Sequence, residues 1–257
     1  MAYSRNHSRR AEAGWDDVAA WYAGLVGPEG SRHHRSTILP AVLDLLAPAA
    51  GERVLDVGCG PGVLAPAVHA AGACLTGVDA SPRLIRAARS RHGGRGRFVV
   101  GDAAALADNP ALGPARFDAA AFVMSIQDMA PLDAVLRSVA AVLRPEARIV
   151  MVMSHPCFRV LRQSGWGRDA GRQLQFRRID RYLTPLAVPM ASRSVRGKST
   201  LSHHRPLADY VNGLSANGFR VDAVREIALR DERAGSRAEQ AAFREIPMFL
   251  ALRAARG

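Results

Sequence analysis

The residues best placed to do chemistry in this 257-residue chain gather around one glycine-rich turn. Val54-Leu55-Asp56-Val57-Gly58-Cys59-Gly60-Pro61-Gly62 reads as a short buried strand that runs into a tight turn and then a helix. Glycines admit positive φ and let the backbone approach a ligand with no Cβ in the way, and the helix start presents free N–H groups. Asp79 ends the next strand, 21 residues beyond Gly58, where a carboxylate can accept both hydroxyls of a ribose. Strand, glycine turn, helix and spaced acid together point to a nucleoside site. A dinucleotide turn asks for G-x-G-x-x-G. Here Val63 takes the third slot and glycine arrives one position early at Gly62, which tips the balance away from a nicotinamide dinucleotide.

Acid–base candidates lie after later strands, where open α/β sheets bind their ligands. His155, in Ser154-His155-Pro156-Cys157-Phe158, is the first choice for a base or an acceptor-orienting group. Gln127 and Asp128 follow the fourth strand. His203 and His204 precede a helix opening at Pro206 and either cap it or reach the pocket. No histidine pair has metal-ligand spacing with a third partner, so no metal is expected. Gly197-Lys198-Ser199-Thr200 mimics the end of a P-loop, but Ser192 stands where its first glycine belongs and no strand precedes it.

The elements that must position these groups follow from periodicity. Trp15, Val18, Ala19, Trp21 and Tyr22 recur at helical spacing, predicting a helix over 16–25, and a second is predicted over 35–46. From residue 53 the pattern alternates. Strands are expected at 53–57, 73–78, 97–100, 117–124 and 148–153, with helices at 63–71, 82–91 and 132–143. Such alternation predicts a mostly parallel sheet covered on both faces. Residues 155–202 have little periodicity and are rich in Arg, Ser, Gly and Pro. A stretch of that length inside a compact domain reads as a lid or binding segment. A helix over 206–216 and strands at 219–226 and 246–252 follow, the two strands pairing antiparallel at the sheet edge across a loop of Arg, Glu and Gly. Seven strands result. Residues 1–12 are polar and basic, and are expected to be disordered.

Composition narrows the class. Apolar residues make up 48% of the chain, as in ordinary globular proteins, and the longest apolar stretches are strand-length, too short to cross a bilayer. The basic N-terminus has no apolar segment after it, so no secretory signal is expected. Cys59, Cys74 and Cys157 form no CxxC pair and no even-numbered disulfide framework, which suggests a reducing cytoplasm. The net charge of +12 invites a nucleic-acid reading. Lys198 is the only lysine among 35 basic residues, however, and the arginines are scattered with few aromatics between them. The skew looks like the codon bias of a GC-rich genome, and the basic surface reads as solvated.

Val54–Gly62 resembles motif I of the class I S-adenosylmethionine-dependent methyltransferases, hydrophobic-Leu-Asp-hydrophobic-Gly-Cys-Gly-x-Gly. Gly77-Val78-Asp79-Ala80-Ser81 is similar to the family's ribose-binding acidic loop, and Gly101-Asp102-Ala103 to the loop after strand three. Phe117-Asp118 and the apolar run to Ser125 resemble motif IV. Leu143-Arg144-Pro145 is similar to the turn before strand five, with Glu146-Ala147 where the family usually has two glycines; the turn is expected to differ slightly and function to persist. The match runs in order over about 50–153 and more weakly through the tail.

The resemblance implies a Rossmann-like α/β fold and a cofactor, S-adenosyl-L-methionine, left as S-adenosyl-L-homocysteine. Gly58, Gly60 and Gly62 would let its methionine part lie on the backbone, with Cys59 filling the turn. Asp56 would help position the ammonium from beneath, and Asp79, with Ala80 beside it, would hold the ribose. Asp102 and Ala103 would frame the adenine, and Met124 and Ser125 would edge the sulfonium. Tyr22 and Trp21, with His33 and His34, would cover the cofactor.

One methyltransferase domain over 1–257 is therefore expected. It comprises a helical cover (1–48), a cofactor core (49–154), a substrate lid (155–204) and a C-terminal helix and strand pair (205–257). The acceptor is read as a small molecule methylated on N or O, with His155, Gln127 and His203 as catalytic candidates. Met124-Ser125-Ile126-Gln127 is not the Asn/Asp-Pro-Pro-Tyr/Phe tetrad of enzymes methylating exocyclic amino groups. Pro156-Cys157 lacks the companion cysteine of the pyrimidine C5 enzymes. RNA methylation through the basic surface and non-transfer chemistry on the same cofactor are the competing readings. A non-catalytic nucleoside sensor is a further one.

Overall fold

The computed structural model describes residues 14–114, 116–191, 199–229 and 236–256. The N-terminal dozen and part of the P-loop-like stretch lie outside them.

A helix α1 (Trp15–Val26) leads into a π-helical turn (His34–Ile38) that continues as α2 (Leu39–Leu46). Then come β1 (Arg53–Val57), α3 (Ala65–Ala70), β2 (Cys74–Asp79), α4 (Pro82–His92) and β3 (Arg97–Val100). After β4 (Phe117–Val123) follow α5 (Leu132–Val142) and β5 (Leu143–Ser154). Next are β6 (Ser164–Asp169), β7 (Leu174–Ile179), β8 (Leu186–Ala191) and β9 (Ser199–His204). The chain closes with α6 (Leu207–Ala216), β10 (Phe219–Ala228), α7 (Arg237–Glu245) and β11 (Pro247–Arg256).

Seven strands form one sheet in the order β10-β11-β5-β4-β1-β2-β3. The pairs among β1 to β5 are parallel, while β11 runs antiparallel to both β5 and β10. The alternating pattern of the sequence thus emerges as a doubly wound sheet with the expected antiparallel pair at its edge. Strand order reverses between β1 and β4, so the crevice beyond their carboxyl ends is where such a sheet binds ligands.

Period-two alternation splits the core between the faces. Leu55, Val57, Ala120, Phe122, Met151 and Met153 pack against α5 and α6. Val54, Ala119, Ala121, Val150 and Val152 pack against α2, α3 and α4. Both faces are buried, which is why the strands read as continuous apolar runs. Among the described residues no helix is long and apolar enough to cross a membrane.

Three expectations need correction. The segment read as unpatterned contains two antiparallel hairpins, β6–β7 and β8–β9. Strands β6 to β8 bury little and carry Gly165, Gly167 and Pro189, while the alternation of β9 buries Thr200, Ser202 and His204, polar residues that leave no hydropathy signal. The loop between the last two sheet strands holds α7, whose start is a capping box: Ser236 Oγ accepts from the Glu239 amide and the Glu239 carboxylate from the Ser236 amide. That signal, Ser-x-x-Glu, was legible in the sequence. Finally, the turn expected at 143–147 lies within β5, which starts at Leu143 opposite Phe117 with a register irregularity.

Candidate functional site

The turn after β1 is tied to the neighbouring strand before any ligand arrives. The Gly58 and Cys59 amides both donate to the Val78 carbonyl, at 2.8 and 3.0 Å. Gly58 has φ +71°, and a Cβ there would lie 2.7 Å from the Ser125 Cβ and 2.6 Å from Met129 Cε. Gly58→Ala therefore combines a left-handed non-glycine residue with overpacking. We expect a loss of about 2–4 kcal/mol of stability, measured as a lower urea midpoint at unchanged slope. Gly60, φ +53°, lies beneath Tyr22, where a Cβ would sit 3.4 Å from the ring. Cys59 is buried against Gly77 and burial pushes its thiol up, so only its backbone serves the turn. Gly62 faces Phe98 and His92.

Asp79 braces this turn. Its Oδ2 accepts from the Gly60 amide and its Oδ1 from the Ser81 amide, each at 2.9 Å. It is 9% exposed, and burial raises its pKa against the pull of those amides. On the far side, Asp16 of α1 accepts from Ser81 Oγ at 2.7 Å and from the Arg83 amide at 2.9 Å, which holds its carboxyl below the usual range. That clasp brings Trp15 and Tyr22, one above the other at i and i+7, over the crevice. Their rings meet edge to face at 5.0 Å.

Two cavities open here. The first, about 210 Å³, is lined by Gly58, Gly60, Asp79, Ala80, Asp102, Ala103 and their apolar neighbours, and by Met124 and Ser125. The second, about 280 Å³, takes Gln127, His33, His34 and His203. Trp15, Tyr22, Met124 and Asp128 line both, so the cavities adjoin. Met124 holds φ +56°, uncommon for a side-chain-bearing residue, with its amide bonded to the Val152 carbonyl. Ser125 Oγ donates to the Val57 carbonyl at 2.6 Å, locking the loop after β4 onto β1. Asp102 Oδ1 accepts from the Ala104 amide, so this acid caps a short turn while facing the first cavity.

Asp56 is 1% exposed, its Oδ1 has no hydrogen-bond partner among the described residues, and burial, then Asp79, raises its pKa to about 7. An unfolded Asp ionises near 4, so between about pH 4 and 7 the folded state holds a proton that the unfolded state has lost. We expect stability without ligand to fall by a few kcal/mol over that window and level off above it. Asp56→Asn should remove about half of the slope in urea titrations at stepped pH, Asp128, raised to the same value, supplying the rest.

Asp128 is a second carboxylate, half-buried and also raised to about 7 by desolvation, with Ser202 and Arg205 opposing the shift; among the described residues its Oδ1 has no partner. Tyr22, buried beside these three acids, has its phenol raised. Gln127 Nε2 donates to the Met124 carbonyl at 2.6 Å and its Oε1 is unpartnered.

The structure does not bring His155 to either cavity. It is 1% exposed, its Nδ1 accepts from the Cys157 amide at 3.2 Å, and its Nε2 lies 3.0 Å from Glu226 Oε1. Burial outweighs Glu226 and lowers its pKa, leaving a neutral ring with both nitrogens engaged. Trp21 likewise lines neither cavity. The residues missed were Trp15, whose i, i+7 relation to Tyr22 was visible, and Arg159 and Arg205, which line the second cavity and carried no motif.

Residues 54–146 match the family model of a methyltransferase domain. The ubiquinone biosynthesis O-methyltransferase of Xylella fastidiosa (strain 9a5c) is 33% identical over 151 residues, 58% of this chain and 61% of that protein. The O-methyltransferase cnsE of Penicillium expansum is 37% identical over 121 residues, 44% of this chain and 42% of that protein. The chain thus spans less than two thirds of the length of these relatives. The crystal structure of an S-adenosylmethionine-dependent methyltransferase from Mesorhizobium loti superimposes with a TM-score of 0.68 at 26% identity, covering 90% of this chain and 100% of that one.

Proposed function

We propose that this chain is a class I S-adenosylmethionine-dependent methyltransferase, like the proteins it resembles, and that it moves a methyl group from S-adenosylmethionine to an oxygen or nitrogen of a small molecule. The observation that carries this reading is the junction of two cavities at Asp128, one built like a nucleoside site and the other open to an acceptor.

The residues present fit the cofactor. Asp56 lines neither cavity, but beneath the turn it carries a buried oxygen without a partner among the described residues, suited to hold a cationic ammonium through the turn's backbone. Gly60 leaves open backbone beneath Tyr22. Asp79 keeps acceptor capacity beyond its two amide bonds for a pair of hydroxyls. Val78, Leu84 and Ala103 supply apolar walls for a flat ring. When bound, the cofactor supplies an electrophilic methyl on sulfur, whose electron pair stays with the sulfur as the bond breaks.

The chain's own work is positioning and proton transfer. Trp15 and Tyr22 close over the junction, and a dry, aligned approach supplies most of the rate. The Asp128 carboxylate, with a pKa near the working pH, takes the proton of the acceptor hydroxyl or ammonium. Gln127 and His203 face the acceptor side and orient it. His155 acts at a remove, fixing the chain after β5 through Glu226.

Methyl-labelled cofactor incubated with the chain and fractionated extract tests the proposal. Label in a small organic product, with S-adenosylhomocysteine formed in equal amount, is expected. Label in RNA, or cofactor recovered with its methyl intact beside a rearranged product, would overturn it.

A further inference from the structure

The second cavity is more cationic than a generic acceptor pocket needs to be. Arg159 and Arg205 line it, with four histidines around them, and Asp128 is the only carboxylate among its described lining residues. The Arg159 guanidinium lies over the Phe249 ring, 5.5 Å from its centroid, with no described acid paired to it. Burial, then the charge of nearby Arg177, pushes its pKa down. Arg205 donates Nη2 to the Met129 carbonyl at 2.6 Å, while its Nη1 is buried without a partner among the described residues. Holding a half-buried cation without a counter-ion, as at Arg159, is costly. Arg205 faces Asp128 but keeps Nη1 free among the described residues. A pocket with two arginines and one carboxylate is complementary to an anion arriving from solvent, and the guanidinium fork matches a carboxylate in shape and charge.

The walls say what else the ligand carries. Ile38, Leu161, Met190 and Phe249 are apolar, so the body between its polar ends is hydrophobic or aromatic. Asp128 sets the orientation, because it repels a like charge from the junction and leaves that end to a neutral hydroxyl or an amine.

We propose that the acceptor is a small organic acid. Its carboxylate pairs with Arg159 and Arg205, and its hydroxyl or amino group meets Asp128 where the cavities join. The assignment rests on the methyl-transfer reading above.

The test compares two probes of one shape, 4-hydroxybenzoate and 4-hydroxybenzamide, by calorimetry on the full chain, with and without saturating S-adenosylhomocysteine. The benzoate is expected to bind about tenfold or more tightly than the amide, a charge-assisted pair being worth at least that factor. Arg159→Gln and Arg205→Gln should each erase most of the preference while leaving S-adenosylhomocysteine affinity unchanged. Equal affinity of the two probes, a tighter amide, or no benzoate binding at millimolar concentration would overturn the proposal, and the wild-type comparison alone decides this if a variant misfolds. The homocysteine titration reports separately. Should it show no binding, the methyl-transfer reading falls, whereas the charge preference is still read from the chain alone.

Discussion

Asp128→Asn is expected to lower kcat by about 10²- to 10⁴-fold, the range for removing a positioned general base, while nucleoside affinity stays close to wild type. Asparagine keeps the shape and can still bond Ser202, so packing is preserved and only proton acceptance is lost. The pH profile distinguishes this from a structural defect. Burial holds the carboxyl near 7, with Ser202 and Arg205 pulling the other way and Tyr22 at its side. The ionised form must accept the proton, so kcat falls about tenfold per unit as pH drops below 7. The variant should lose that limb. Asp56 titrates in the same window, so the difference between wild type and variant, measured at saturating cofactor, is what isolates Asp128. Equal rates for wild type and Asp128→Asn across pH 6–9 would remove Asp128 from the chemistry; that range brackets its pKa.

Asp79→Ala should weaken binding of S-adenosylhomocysteine by about 2–3 kcal/mol, the scale of hydrogen bonds to a charged group, or roughly 30- to 150-fold in the dissociation constant. Two contributions act together. The ribose hydroxyls lose their acceptor, and the Gly60 amide loses the carboxylate that anchors the turn. Asp79→Asn separates them, since its amide oxygen can still receive one backbone N–H. An intermediate loss is expected. Unchanged affinity in the alanine variant would refute the role given to this residue.

The cofactor half of the site was legible because its determinants are local. A glycine turn between a strand and a helix, and acids at strand ends, leave marks at fixed spacings; Gly58, Gly60, Asp79 and Asp102 all reach one cavity. The sheet was legible for a related reason. Strands buried on both faces write unbroken apolar runs, as in residues 119–123 and 149–153. The acceptor half depends on contacts between distant segments. Arg159 gains meaning only when β11 places Phe249 beneath it, and Arg205 only when it reaches the Met129 carbonyl. His155 attracted the role of base because of its place after β5, but Glu226 of β10, 71 residues away, claims its ring. Asp128 stood beside Gln127 as a candidate, and what sets it apart is its place where the two cavities join, which one sequence does not display. Strands β6 and β7 escaped for the opposite reason: they bury little, and where β7 alternates its apolar Leu174 and Phe176 are the exposed side chains.

The account turns on which nucleoside the crevice accepts. Isothermal titration of the purified chain with S-adenosylhomocysteine, and in parallel with a nicotinamide dinucleotide, measures that without any knowledge of the acceptor. Saturable one-to-one binding of the homocysteine nucleoside and none of the dinucleotide is predicted. Uptake of the dinucleotide with indifference to the sulfur nucleoside would contradict it.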